Sequence, residues 1–150
     1  MKKLTIIISV LLLAVVFVSC TTTSVSFKGT RVGCVRTEGK YNFSLSCESF
    51  DGEAVYTINL DEKHGSIVGW DVTVWEGTLK MECRDSNDHL VAIRSYSVPE
   101  YSTAPSAKFY DQASIVDYGK CKITIVAEEF KGEYSFNWDK EEPLDRIIYD

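Results

Sequence analysis

The sequence predicts an all-β fold: an antiparallel meander of about eight strands, closed as a small barrel or flattened into a sandwich, and stabilised by disulfides. Three observations predict it. After residue 25 every apolar stretch alternates with period two, and none keeps the i, i+3, i+4, i+7 spacing of an amphipathic helix over three turns. Turn-forming dipeptides, Asp51-Gly52, Glu76-Gly77 and Lys131-Gly132, punctuate that alternation. Four cysteines, Cys34, Cys47, Cys83 and Cys121, are scattered through it at intervals too wide for a C-x-x-C metal knuckle.

Each turn dipeptide can be tested, because a hairpin register is acceptable only if both strands put their apolar side chains on one face. A two-residue turn at Asp51-Gly52 sets Cys47 against Tyr56, Leu45 against Ile58 and Phe43 against Leu60. The same turn at Glu76-Gly77 sets Val74 against Leu79, Val72 against Met81 and Trp70 against Cys83, with Trp75 outside. At Lys131-Gly132 it sets Ala127 against Phe136 and Ile125 against Trp138. In each case the other face carries polar residues: Ser44, Ser46, Asp71, Thr73, Ser135 and Asn137 among them. Looser hairpins over 37–40 and 85–88 complete strands near 30–36, 41–50, 53–60, 67–75, 78–84, 89–98, 120–130 and 133–139. The acidic end, from Glu141 and Glu142 to Leu144, is expected to make one helical turn, with Ile147 and Ile148 packing back.

Strand directions counted from these turns place Cys34 and Cys83 at one end and Cys47 and Cys121 at the other. The expected bridges are therefore Cys34 with Cys83 and Cys47 with Cys121, since only same-end pairs can bring their Cα atoms close enough.

The N-terminus reads as an address. Lys2 and Lys3 precede fifteen residues, 4–18, interrupted only by Thr5 and Ser9, and then Ser19 and Cys20. That run is short for a membrane span and right for a signal peptide. Its ending, Phe17-Val18-Ser19-Cys20, resembles the lipobox of bacterial lipoproteins, with Phe17 where the family prefers an aliphatic residue. The resemblance implies cleavage before Cys20, acylation (palmitate-type) of that cysteine and a lipid anchor in the cell envelope, on the outer membrane or the outer face of the cytoplasmic membrane. Cleavage after Cys20 by an ordinary signal peptidase is the alternative. The domain plan is then a signal peptide, 1–19, a lipid-attached tether, 20–29, and one β domain, 30–150.

The full chain of 150 residues carries a net charge of −6. Loss of residues 1–19 removes two lysines and no acid, so 16 basic residues become 14 against 22 acidic ones, a net of −8. An acidic chain with no basic cluster excludes a nucleic-acid partner and leaves membrane contact to the acyl chains.

Catalytic groups are scarce. His64 and His89 stand alone in turns, no serine occupies a G-x-S-x-G elbow, and the adjacent acid pairs point to opposite strand faces. Asp85, Asn87 and Asp88 offer oxygen ligands without an EF-hand's glycine and distal glutamate, so no metal and no cofactor is expected. Candidate binding residues are the outward Trp75 and the aromatics Tyr101, Phe109, Tyr110 and Tyr118 of a long connection, 99–119. The expected function is a non-catalytic binding or structural module of the envelope whose partner is a protein or an envelope glycan. Two alternatives are an inhibitor of a secreted enzyme such as lysozyme, which an acidic surface would favour, and a lipocalin-like carrier of a small apolar ligand.

Overall fold

A computed structural model describes residues 23–60, 67–115 and 117–138. The expected signal peptide, Cys20, His64 and the expected helical turn after Glu141 lie outside the described residues. Among these residues the chain forms seven strands: β1 (Thr23–Val32), β2 (Val35–Glu38), β3 (Asn42–Leu60), β4 (Ile67–Arg84), β5 (Leu90–Ser97), β6 (Ala107–Ser114) and β7 (Gly119–Asn137). All pairings are antiparallel, in the order β1-β3-β7-β4-β5, with β2 also on β3 and β6 also on β4. The two ends of this sheet are not paired with each other, so it is open and not a barrel.

Three strands are far longer than the sequence predicts, because none of the three dipeptide turns is a turn. Asp51-Gly52, Glu76-Gly77 and Lys131-Gly132 lie inside β3, β4 and β7. The pairing shifts register there, between Cys47, Phe50 and Gly52 on β3 and between Val74, Glu76 and Thr78 on β4. A bulge and a two-residue turn change the phase of the alternation in the same way. On β3 the buried positions are 43, 45 and 47 before the irregularity and 54, 56, 58 and 60 after it. The phase change was legible; its cause was not.

The three irregularities stand side by side across neighbouring strands, Gly52 near Ala127 and Glu76 opposite Lys131, so the whole sheet bends along one line. Backbones crowd there. A Cβ at Gly77, whose φ is +76°, would lie 2.3 Å from the Glu129 carbonyl oxygen, and one at Gly132 would lie 2.1 Å from that of Thr73. The bend creates two five-stranded layers. One runs β2, the first half of β3, the second half of β7, the first half of β4, and β6; the other runs β1, the remaining halves of β3, β7 and β4, and β5.

Between the layers lies the core. Phe43 of the first layer packs on Tyr56 of the second at 4.6 Å between ring centroids, and Tyr56 on Phe136 at 5.4 Å. The Trp70 indole N–H donates to the Tyr96 hydroxyl at 2.6 Å, joining β4 to β5 across the same space. Rings of this size fill the interior, as the sequence implied, and give no support to a lipocalin-like carrier.

The disulfide differs from expectation. Cys34 is bonded to Cys47, while Cys83 and Cys121 are free, buried thiols. The pairing of Val35 with Ser46 puts position 34 directly across from 47, whereas the loop expected over 37–40, where Thr37 and Glu38 are in fact paired with Ser44 and Phe43, would have set Cys34 opposite Phe43 and Cys47 further along the strand. The expected Cys34–Cys83 and Cys47–Cys121 bridges fall with that loop. The long connection is also corrected: β6 occupies 107–114. Its inward positions read Ala107, Phe109, Asp111, Ala113, and the half-buried Asp111, paired with Arg94, hides the apolar alternation.

Candidate binding face

The outer face of the first layer is built from short polar side chains in register. One row crosses all five strands as Thr37, Ser44, Ser135, Asp71 and Tyr110. The next runs Val35, Ser46, Glu133, Thr73 and Lys108. A third begins at Asn42 and continues through Asn137, Gly69 and Gln112. Small residues on the three central strands and larger ones on the flanking strands leave a trough of about 290 Å³ over β2, β3, β7 and β4. Its wall and floor offer the hydroxyls of Thr37, Ser44, Ser46, Thr73 and Ser135 and the carboxylates of Asp71 and Glu133. Adjacent strands lie about 4.8 Å apart, so each row presents donors and acceptors at that interval over roughly 19 Å.

Aromatic residues flank this face. Tyr110, 49% exposed, reaches over Gly69, where an added Cβ would meet its hydroxyl oxygen at 3.4 Å. Partial burial, then the nearby carboxylates of Asp71 and Asp111, raise its pKa. Trp75, 45% exposed, follows Thr73 by two positions at the bend. Of the aromatics expected to bind, Tyr110 therefore stands in the rows of the trough's face, while Trp75 is the extra residue at the register shift between Val74 and Glu76. Phe109 points the other way and packs on Tyr96 at 5.1 Å. Tyr101 is exposed in the 98–106 connection, and Tyr118 precedes β7 in the other layer. Asp71 and the serines were read from the sequence only as an outward face, and Glu133 was not singled out, since their adjacency depends on β7 lying between β3 and β4.

A second cluster joins the β4–β5 turn to the start of β7. Ligand atoms of Asp85, His89 and Asp117 lie within 4.8 Å of one another and could hold a cation. The same atoms hold the turn. Asp85 Oδ1 accepts the amides of Asn87 and His89, both at 2.9 Å, and Asn87 Nδ2 donates to Asp117 Oδ2 at 2.9 Å. Burial pushes the Asp85 carboxyl up, but the His89 and Asn87 amides and the His89 ring outweigh it and hold the pKa below the ordinary value. Asp88, whose carboxylate is near this turn, bonds Lys122.

No protein-family pattern matches the chain, and no curated protein is similar to it. Among solved structures, the mannan-recognising carbohydrate-binding module TmCBM27 aligns at TM-score 0.44 and 9% identity, covering 77% of this chain and 85% of that one. TmCBM61, solved with β-1,4-galactotriose, aligns at 0.41 and 20% identity, covering 78% and 84%. The enzymatically active domain of tailspike protein 4 from bacteriophage CBA120 aligns at 0.38 and 18% identity, covering 81% of this chain but only 19% of that one. Scores this low carry no ligand or activity over to this protein.

Proposed function

We propose that the protein is a lipid-anchored, non-catalytic module of the bacterial cell envelope that binds a glycan along the trough. The observation that carries the reading is the registered face itself, with five hydroxyls and two carboxylates lining one depression beside an exposed tyrosine. Sugars present many hydroxyls and apolar C–H faces. A polar, hydrogen-bonding floor with an aromatic edge suits them, whereas an apolar protein patch would call for a greasy, desolvated centre. The face is part of a rigid sheet, so little ordering cost accompanies binding. Cys20 supplies the anchor in this reading; the tether expected over 20–29 is overtaken by β1, which begins at Thr23, so the sheet starts three residues after the anchor.

Affinity electrophoresis of the full-length protein against immobilised neutral, amino and acidic polysaccharides tests the glycan. Retardation of the wild type by at least one of them, lost in Ser135→Leu, is expected, because leucine fills the trough floor from an outward position. No retardation by any polysaccharide overturns the reading. For the anchor, Cys20→Ala protein should be soluble or unprocessed; mature Cys20→Ala protein that still fractionates with membranes overturns acylation.

A further inference from the structure

We propose that the Cys34–Cys47 disulfide is a positioning element of the trough: it holds β2 in place as the side wall, and its reduction by a dithiol releases that wall. The consequence for binding rests on the glycan reading above. Val35 and Thr37 of β2 line one side of the trough. Their strand has only four residues, pairs among the described strands only with β3, and exposes all four side chains. Its ladder to Phe43 and Ser46 therefore has no apolar burial behind it. The strand on the opposite flank of the same layer, β6, is held differently. Eight residues long, it buries Ala113, packs Phe109 on Tyr96 and pairs Asp111 with Arg94. On β2 the comparable contact is that of Arg36, whose guanidinium stands 5.2 Å from the centre of the Phe43 ring. Its ion pair with Glu38 joins two residues of β2 and adds nothing to docking.

Covalent attachment takes the place of burial. Cys34, directly before β2, is bonded to Cys47, which is fixed in the core on β3, and this sets the start of the ladder, Val35 against Ser46. At its other end β2 is tied by the turn in which the Gly39 N–H donates to the Asn42 carbonyl oxygen at 3.0 Å. Without the bridge a four-residue edge strand is held at one end and frays from the other. Upstream the opening stops at Val32, which pairs with Ser49 as the last residue of β1. Cys34 is the sulfur within reach, since it is half-buried and Cys47 is enclosed. A thiolate of the dithiol attacks Cys34 Sγ, the S–S bond breaks and Cys47 leaves and takes up a proton. The second thiol then displaces Cys34, so the dithiol is oxidised to a disulfide by two electrons and the protein keeps two thiols.

Hydrogen exchange of the full-length protein, oxidised and then reduced with dithiothreitol after folding, is read on peptides covering 33–41 and 107–114. Reduction should speed exchange across 33–38 about ten-fold and leave 107–114 unchanged. The polysaccharide that retards the oxidised protein should bind the reduced one about ten-fold more weakly, because the sugar must first order its own wall. Reoxidation should restore both, and the Cys34→Ser, Cys47→Ser protein should match the reduced form. Unchanged exchange at 33–38 overturns the positioning role. So does faster exchange spread evenly over both peptides, which is the signature of a staple on overall stability. Loosening of 33–38 with undiminished retardation overturns the role in binding and leaves the glycan reading standing. If no polysaccharide retards the oxidised protein, the glycan reading fails, and exchange at 33–38 still decides whether the bridge holds β2.

Discussion

The hydroxyl oxygens of Tyr56 and Tyr134 meet 2.6 Å apart in the buried space between the layers, the first carried by β3 and the second by β7. Each is the other's partner across the core. Removing one leaves the survivor desolvated and unpaired, whereas removing both leaves two rings of nearly unchanged shape. Tyr56→Phe and Tyr134→Phe are each expected to cost about 1–3 kcal/mol, and the double variant less than their sum. Urea unfolding of all four proteins measures the coupling; strictly additive losses would show that the two hydroxyls are independently solvated.

Alkali should unfold the protein. Burial pushes Tyr56 from 10.0 up to about 12, Cys83 from 9.0 to about 12 and Cys121 from 9.0 to about 11, with the Cys121 thiol and then Asp85 adding to the rise at Cys83 and Asp85 to that at Cys121. Groups whose folded pKa lies above the unfolded one favour the folded state fully below the unfolded value and lose that preference as pH rises through the folded one. Stability is therefore level up to about pH 9 and falls from there to pH 12. Melting temperatures across this range should show the decline, reduced in Cys83→Ser, Cys121→Ser protein. A curve flat to pH 12 would contradict it.

The cysteines divide into a bonded pair and a silent pair. Non-reducing peptide mapping should yield one cross-linked peptide, Cys34 with Cys47. Cys83 and Cys121 should resist an alkylating reagent in the native protein and react with it in denaturant, because buried thiols with raised pKa values carry almost no thiolate. A Cys34–Cys83 peptide, or fast native labelling of Cys121, would refute this arrangement.

At the bend, Gly132→Ala is expected to cost more than about 2 kcal/mol, because its Cβ would meet the Thr73 carbonyl oxygen at 2.1 Å and neither backbone can yield. Gly69→Ala, whose Cβ would make an ordinary 3.4 Å contact with the Tyr110 hydroxyl oxygen, should melt within a few degrees of the wild type. Thermal unfolding of the two variants gives the comparison, and equal losses would remove the bend as the explanation.

Class, strand material and core were legible in the sequence because they depend on alternation alone. Phe43, Leu45, Cys47, Tyr56, Ile58, Trp70, Met81, Ile125 and Phe136 are all buried, on the phases read from the chain. Connectivity was not legible, because Asp51-Gly52 shifts that phase identically whether the chain reverses there or only bulges. The disulfide was missed through a different register: the loop expected over 37–40 is shorter, since Thr37 and Glu38 still pair with Ser44 and Phe43. The trough was half visible: Ser44, Ser46, Ser135, Asp71 and Thr73 were assigned outward, but their neighbours across strands are set by pairings of residues some thirty to ninety positions apart. β6 was hidden by one inward carboxylate, Asp111, whose partner Arg94 is on another strand.

The middle strand of the sheet is also, among the described strands, the last one made. Until β7 leaves the ribosome, β3 has only β1 and β2 beside it and β4 only β5 and β6, two three-stranded ribbons that, among the described residues, do not pair with each other. Each would expose one apolar flank and a long unsatisfied backbone edge. The nascent chain consequently has no native stopping point short of residue 137, and completion comes as a single late insertion that zips both ribbons onto one strand. A truncation within β7 would forfeit both layers at once rather than shorten one of them.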